Sequence, residues 1–168
     1  MAYLDTDVIL AYCIDGDPQH SKAVNILEKL RQNTNRFYVS PLTLVELYSV
    51  LSRNIQSYKL PPGIEELTNH RSKLRTTITY FLQLLSINIP SDEAKLTDLD
   101  GLKLFHKFLE AIDLATKLKL KTLDLLHIAY ASQLAKKKLI QFFITFDSKI
   151  LENKEDILKN TGIEVING

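Results

Sequence analysis

A single cysteine, Cys13, is the whole thiol content of this 168-residue chain. An intrachain disulfide and a cysteine-built zinc site are therefore excluded. A reducing, cytoplasmic compartment is the expectation. No apolar run is long enough to span a bilayer. The opening Met1–Asp5 lacks a basic stretch followed by a long apolar one, because Asp5 and Asp7 interrupt the residues from Tyr3 to Leu10. It does not read as a signal peptide. An excess of either charge is missing too: 21 Lys and Arg against 20 Asp and Glu leave a net charge of +1. Attraction of a polyanion would have to come from local clusters. Lys117, Lys119 and Lys121 form one such cluster, and Lys136, Lys137 and Lys138 another. A solvated helix face or helix end accounts for each equally well.

What is present is the composition of an ordinary soluble domain, 45% hydrophobic and 24% charged. Residues 1–168 are expected to form one domain with a real core. Five short apolar runs with polar or Pro/Gly boundaries read as strands: Ala2–Leu4, Phe37–Val39, Leu84–Ile89, Ile140–Thr145 and Ile163–Ile166. Helical spacing marks His20–Gln32, Leu42–Leu51, Ile64–Leu85, Leu102–Leu118, Leu123–Ala135 and Lys149–Asn160. Asn54–Gly63 reads as a loop, and Ser91–Gly101 as a second loop or a frayed helix start. Helices alternate with strands throughout. That pattern predicts an α/β fold, three layers with a mainly parallel five-stranded sheet flanked by helices.

Four carboxylates occupy positions of interest. Asp5 directly follows the first strand, and Asp147 follows the Phe142–Thr145 segment by two residues. Asp124 opens an apolar helix, and Glu46 lies inside another, among Leu44, Val45, Leu47 and Val50. Ligands of open α/β sheets bind at the carboxyl ends of the strands, so the four acids can meet there. Grouped carboxylates repel and stay ionised only beside a compensating cation. Oxygen donors without histidine or cysteine favour Mg²⁺ or Mn²⁺ over Zn²⁺. Each acid also has a purely structural role open to it. Asp5 or Asp7 can cap a helix beginning near Val8, Asp124 suits a first helical turn, and Asp147 can cap the helix at Ser148–Glu152. Glu46 is hardest to place that way, since a carboxylate is rarely buried without a partner. Thr145 can hydrogen-bond within such a site or simply end its strand. His127 reads as a packed, hydrogen-bonded histidine more readily than as a ligand.

At this point a family resemblance enters. YLDTDVILAYC resembles the opening of PIN domains, an apolar strand ending in Asp-Thr-Asn/Asp before a helix. SPLTLVELYSVL is similar to that family's Ser/Thr–helix segment with an internal Glu, and LKTLDLLHIAYASQL to its Asp-Ala-Leu-His-Leu-Ala helix. FFITFDSKIL resembles its strand–Thr-x-Asp motif, and GIEVING its last strand. The resemblance runs from Ala2 to about Ile166, in order. It implies metal-binding acids at Asp5, Glu46, Asp124 and Asp147, with Thr145 as the motif threonine. It also implies a sheet order of 3-2-1-4-5, a homodimer, and endonucleolytic cleavage of RNA with Mg²⁺ or Mn²⁺. Single-domain members of this size are mostly VapC-type toxins, held in check by a small antitoxin protein in the active-site groove. Arg36, Arg53 and His20 are then further candidates for RNA contact. Two departures stand out: Asp7 occupies a position where Asn is common, and Ile55–Thr79 looks like an extension.

Two other functions compete. Asp5-Thr6-Asp7-Val8 also resembles the opening of haloacid-dehalogenase-type phosphatases, with Asp5 as nucleophile and Asp7 as acid, but the late acidic pair of those enzymes is missing. A PIN-like module that binds RNA or protein and cuts nothing is the third reading, and the complete set of four acids argues against it.

Overall fold

The computed structural model describes residues 1–32, 36–91, 95–99 and 101–168. Strand β1 (Ala2–Leu4) leads into helix α1 (Thr6–Cys13), followed by α2 (His20–Arg31), β2 (Phe37–Tyr38) and α3 (Pro41–Asn54). A 3₁₀ turn (Ile55–Ser57), α4 (Pro62–Glu65) and α5 (His70–Leu84) come before β3 (Ile87–Asn88). A hairpin of β4 (Leu96–Leu99) and β5 (Leu102–Phe105) leads to α6 (His106–Ala115) and α7 (Thr122–Lys136). The chain closes with β6 (Phe142–Thr145), α8 (Ser148–Glu152), α9 (Lys154–Thr161) and β7 (Glu164–Asn167).

Five strands form one sheet in the order β3-β2-β1-β6-β7, and every neighbouring pair is parallel. With the hairpin strands set aside, this is the expected 3-2-1-4-5 arrangement. β1 lies at the centre, and its three residues are all buried, as a parallel strand covered on both faces requires. Alternation divides it between two cores. Ala2 and Leu4 join Ile9, Leu27, Leu47 and Phe81 on one face, while Tyr3 joins Leu126, Ile128, Phe143 and Ile157 on the other. The sheet therefore lies between α1, α2, α3 and α5 on one side and α6, α7 and α9 on the other.

The sequence expectations need five corrections. The helix expected from Leu102 begins at His106, because Leu102–Phe105 pairs antiparallel with Leu96–Leu99 (Leu96 opposite Phe105, Leu99 opposite Leu102). The turn is made by Gly101 at φ +85°, whose N–H donates to Asp98 at 3.0 Å. The span read as a loop from Ser91 thus contains a strand, and its residues 92–94 and 100 lie outside the described ones. The long helix over Ile64–Leu85 is two helices, because the Asn69 side chain caps a new start by accepting from the Ser72 N–H at 2.9 Å. The third strand is only Ile87–Asn88, since Leu84 still belongs to α5. Finally, Lys149–Asn160 divides into α8 and α9, the second ending at left-handed Gly162.

Candidate active site

Parallel strands bring all their carboxyl ends to one edge, and the acids collect there. β1 stops at Leu4, and Asp5 becomes the N-cap of α1. One Asp5 oxygen accepts from the Thr6 N–H at 2.8 Å, and the other from the Thr145 hydroxyl at 2.8 Å. The Ser40 side chain caps α3, with Pro41 in its first turn, and Glu46 follows about one and a half turns later. Glu46 Oε2 accepts from the Thr6 hydroxyl and lies 2.9 Å from His127 Nε2. Burial works against the charge on Glu46, yet its bonds to His127 and Thr6 outweigh burial and hold its pKa low. As an ionised acceptor it requires Nε2 of His127 to be the donor.

His127 is itself tightly held. It is 2% exposed, and its Nδ1 lies 2.7 Å from the Tyr3 hydroxyl, which accepts from the Ser40 N–H at 3.1 Å. The Tyr3 ring stacks on Phe143 at 5.0 Å between centroids. Burial disfavours charge on His127, but its bond to Glu46 and the charges of Asp5 and Glu46 raise its pKa overall. Donor atoms of Asp5, Glu46 and His127 all lie within 4.8 Å of one another. With Nε2–H directed at a carboxylate and Nδ1 at a phenol, His127 acts as a positioning residue for Glu46.

Asp7 joins this group. Its Oδ2 accepts from the Phe146 N–H at 2.9 Å, while its buried Oδ1 has no hydrogen-bond partner among the described residues. Burial, and then the charge of Asp5, raise its pKa to about 7. The Asp5 carboxyl is likewise raised by burial, against the opposing pull of His127 and Thr145.

Asp124 and Asp147 lie outside the tight group. Asp147 caps α8, accepting from the N–H groups of Lys149 (2.6 Å) and Ile150 (3.1 Å), and its own N–H donates to the Thr145 hydroxyl at 2.9 Å. Asp124 sits in the first turn of α7 and accepts from the Lys121 N–H at 3.3 Å. Burial and the Asp147 charge raise its pKa. Of the five residues singled out from sequence, hydrogen bonds link Asp5, Glu46, Thr145 and the Asp147 backbone. Asp124 is linked to the others through the charges of Asp147 and His127. Sequence reasoning treated Asp7 as a departure and His127 as packing, although Asp7 at i+2 from Asp5 was a visible signal. Among the described residues, the hydrogen-bond partners of these carboxylates are backbone amides, the hydroxyls of Thr6 and Thr145, and His127. Three of the lysine and arginine candidates are engaged elsewhere: Lys117 with Asp113, Lys136 with Glu110, and Arg53 with the Ser49 carbonyl. His20 Nδ1 lies 2.8 Å from the Ala11 carbonyl.

This donor set fits a hard divalent cation. Its oxygens come from several segments, burial and mutual repulsion raise Asp5, Asp7 and Asp124, and one buried carboxylate oxygen has no partner. A family model for the PIN domain matches residues 2–156. The chain belongs to the PIN-domain family. No sequence relative is found among curated proteins. Among solved structures, this PIN domain is similar to VapC20 of Mycobacterium tuberculosis, described as a sarcin–ricin loop-cleaving toxin. The two share 15% identity at a TM-score of 0.56, over 90% of this chain and 94% of that one.

One consequence concerns Asp7 of this PIN domain. A carboxyl whose folded pKa is raised loses its stabilising proton as pH rises, so the folding penalty grows from about pH 4 to about pH 7 and is constant above. Asp7→Asn removes that charge and keeps an oxygen for the Phe146 N–H. It is expected to raise the Tm of the metal-free protein by several degrees at pH 8 and by much less at pH 4. Thermal melts at the two pH values check this, and a lower Tm at pH 8 would contradict it.

Proposed function

We propose that this PIN domain is a metal-dependent endoribonuclease of the VapC-toxin type, with Asp5, Glu46, Asp124 and Asp147 as the residues that hold Mg²⁺ or Mn²⁺. The observation that carries this reading is the group of desolvated carboxylates at the carboxyl edge of the sheet, around Asp5 and Glu46. Held by these carboxylates, a divalent cation would supply acidification of a water and compensation of charge on a phosphodiester. The chain's own residues supply orientation. Thr6 and Thr145 fix the two Asp5 oxygens, and Thr6 and His127 fix Glu46. Asp147 caps α8 and Asp124 stands in the first turn of α7, where the Asp147 charge raises its pKa after burial. No covalent nucleophile is required, so hydrolysis should leave a 5′-phosphate and a 3′-hydroxyl. The VapC-type reading adds a homodimer and a small antitoxin protein that covers the acidic groove.

Titration with Mn²⁺ tests the proposal before any substrate is known. Binding to the folded state alone stabilises it by about 2.7 kcal/mol at a hundredfold excess over Kd. A clear, saturable rise in Tm is therefore expected, together with Mn²⁺-dependent cleavage of total RNA. A protein showing neither would be a silent binding module instead.

A further inference from the structure

Tyr3 carries a hydroxyl into the middle of the sheet. The residue is 0% exposed and stands in the central strand β1, between Ala2 and Leu4. Phe or Leu would serve such a place without bringing a polar group into the core. A buried hydroxyl is costly unless it is hydrogen-bonded. This one is: its oxygen accepts from the Ser40 N–H at 3.1 Å and lies 2.7 Å from His127 Nδ1.

These contacts close a circuit that starts and ends on one helix. Ser40 is the N-cap of α3, and Glu46 lies further along α3. From the Ser40 N–H the path runs to Tyr3 in β1, on to His127 in α7, and back to Glu46 Oε2, 2.9 Å from His127 Nε2. The Tyr3 ring stacks on Phe143 and meets the His127 ring edge-on, at 6.0 Å between centroids and 69° between planes. Packing thus fixes the direction of the hydroxyl.

The circuit also has a polarity. A phenol has one proton to give and can accept at the same time. Tyr3 accepts from Ser40 and gives its proton to Nδ1. A neutral imidazole that accepts at Nδ1 carries its hydrogen on Nε2, because the bond made at one ring nitrogen selects the form of the other. That Nε2–H then donates to Glu46. In the alternative form, Nε2 would face the carboxylate with a lone pair. Thr6 donates to the same Glu46 oxygen. With both bonds on Oε2, Oε1 accepts from none of the described residues and is the oxygen available to an ion.

We propose that Tyr3 is a positioning residue for Glu46: its hydroxyl holds His127 in the Nε2–H form and so fixes which Glu46 oxygen is left for a cation. The consequence for the cation rests on the nuclease reading, whereas the form of the ring does not.

Tyr3→Phe tests this, because it removes the hydroxyl and keeps the ring against Phe143. Metal-free wild type and variant are compared by ¹⁵N NMR of the histidine rings at pH 9, well above the ordinary histidine range. The His127 signals are assigned by their loss in His127→Gln. Wild type should show the Nε2–H form. Tyr3→Phe should show a substantial share of the Nδ1–H form, and in a thermal-shift titration it should bind Mn²⁺ about tenfold more weakly, the lower end for losing an outer hydrogen-bonding partner. Phe143→Leu loosens the same core but keeps the hydroxyl, so it should lower Tm and retain the Nε2–H form. An Nδ1–H ring in wild type would overturn the proposal even if Tyr3→Phe failed to fold. An unchanged ring form in folded Tyr3→Phe would overturn it too. An equal change in Phe143→Leu would do the same, by making the effect one of packing. Absence of Mn²⁺ binding by wild type would instead sink the nuclease reading, and the ring measurement would still decide the part played by Tyr3.

Discussion

Asp5→Asn is expected to reduce Mn²⁺-dependent RNA cleavage by about a thousandfold, the upper range for losing one charge-stabilising group at a reaction centre. The substitution changes almost no volume. Asn is as good an N-cap as Asp, so the bond from the Thr6 N–H and the start of α1 survive. The other side-chain position changes from an acceptor to a donor facing the Thr145 hydroxyl, which retains a free lone pair for it. Glu46, Thr6 and His127 keep their mutual bonds. The circular dichroism spectrum should therefore match wild type and the metal-free Tm should be no lower, since burial opposes the Asp5 charge as it does that of Asp7, while the Mn²⁺-induced rise in Tm shrinks. Cleavage at the wild-type rate by purified Asp5→Asn would falsify the assignment of this edge as the reaction centre.

The largest effect on stability is expected at Phe143. The residue is fully buried in β6, between β1 and β7, and stacks on Tyr3 with an interplanar angle of 10°. Truncating a buried Phe to Ala typically costs about 3–5 kcal/mol, from lost transfer energy and from the cavity left behind. A typical domain has only about 5–15 kcal/mol in total. Phe143→Ala should therefore shift the urea midpoint strongly, and Phe143→Leu much less. The change also removes the stacking partner of the ring that contacts His127, so weaker Mn²⁺ binding by the folded fraction should accompany it. A loss below 1 kcal/mol would mean that the second core closes around the gap.

The centre of the sheet was legible in the sequence because β1, β2 and β6 are short apolar runs that lead into a capping residue, Asp5, Ser40 and Asp147. Ala2–Leu4 before Asp5, and Phe142–Thr145 before Asp147, carry both signals. The hairpin was not legible. Leu102, Phe105, Leu109 and Ile112 fall at helical spacing by coincidence, and the first two lie on exposed strand positions where no buried face imposes a period of two. The Asp98–Gly101 turn was the available clue. At the site, Asp5 and Glu46 could be read from position alone. The part played by His127 could not, because its partners Tyr3 and Glu46 are 124 and 81 residues away in the chain. Asp7 escaped because an unpartnered buried oxygen is a property of packing and has no local signature.

The order of the sheet also governs when the carboxylates can meet. β1 is made before both of its neighbours, and β6 follows it only after α7. A nascent chain that has reached only residue 141 holds Asp5 and Glu46 but offers β1 an open edge, with Thr145 and Asp147 still to be synthesised. The arrangement around Asp5 is thereby withheld until β6 has been made.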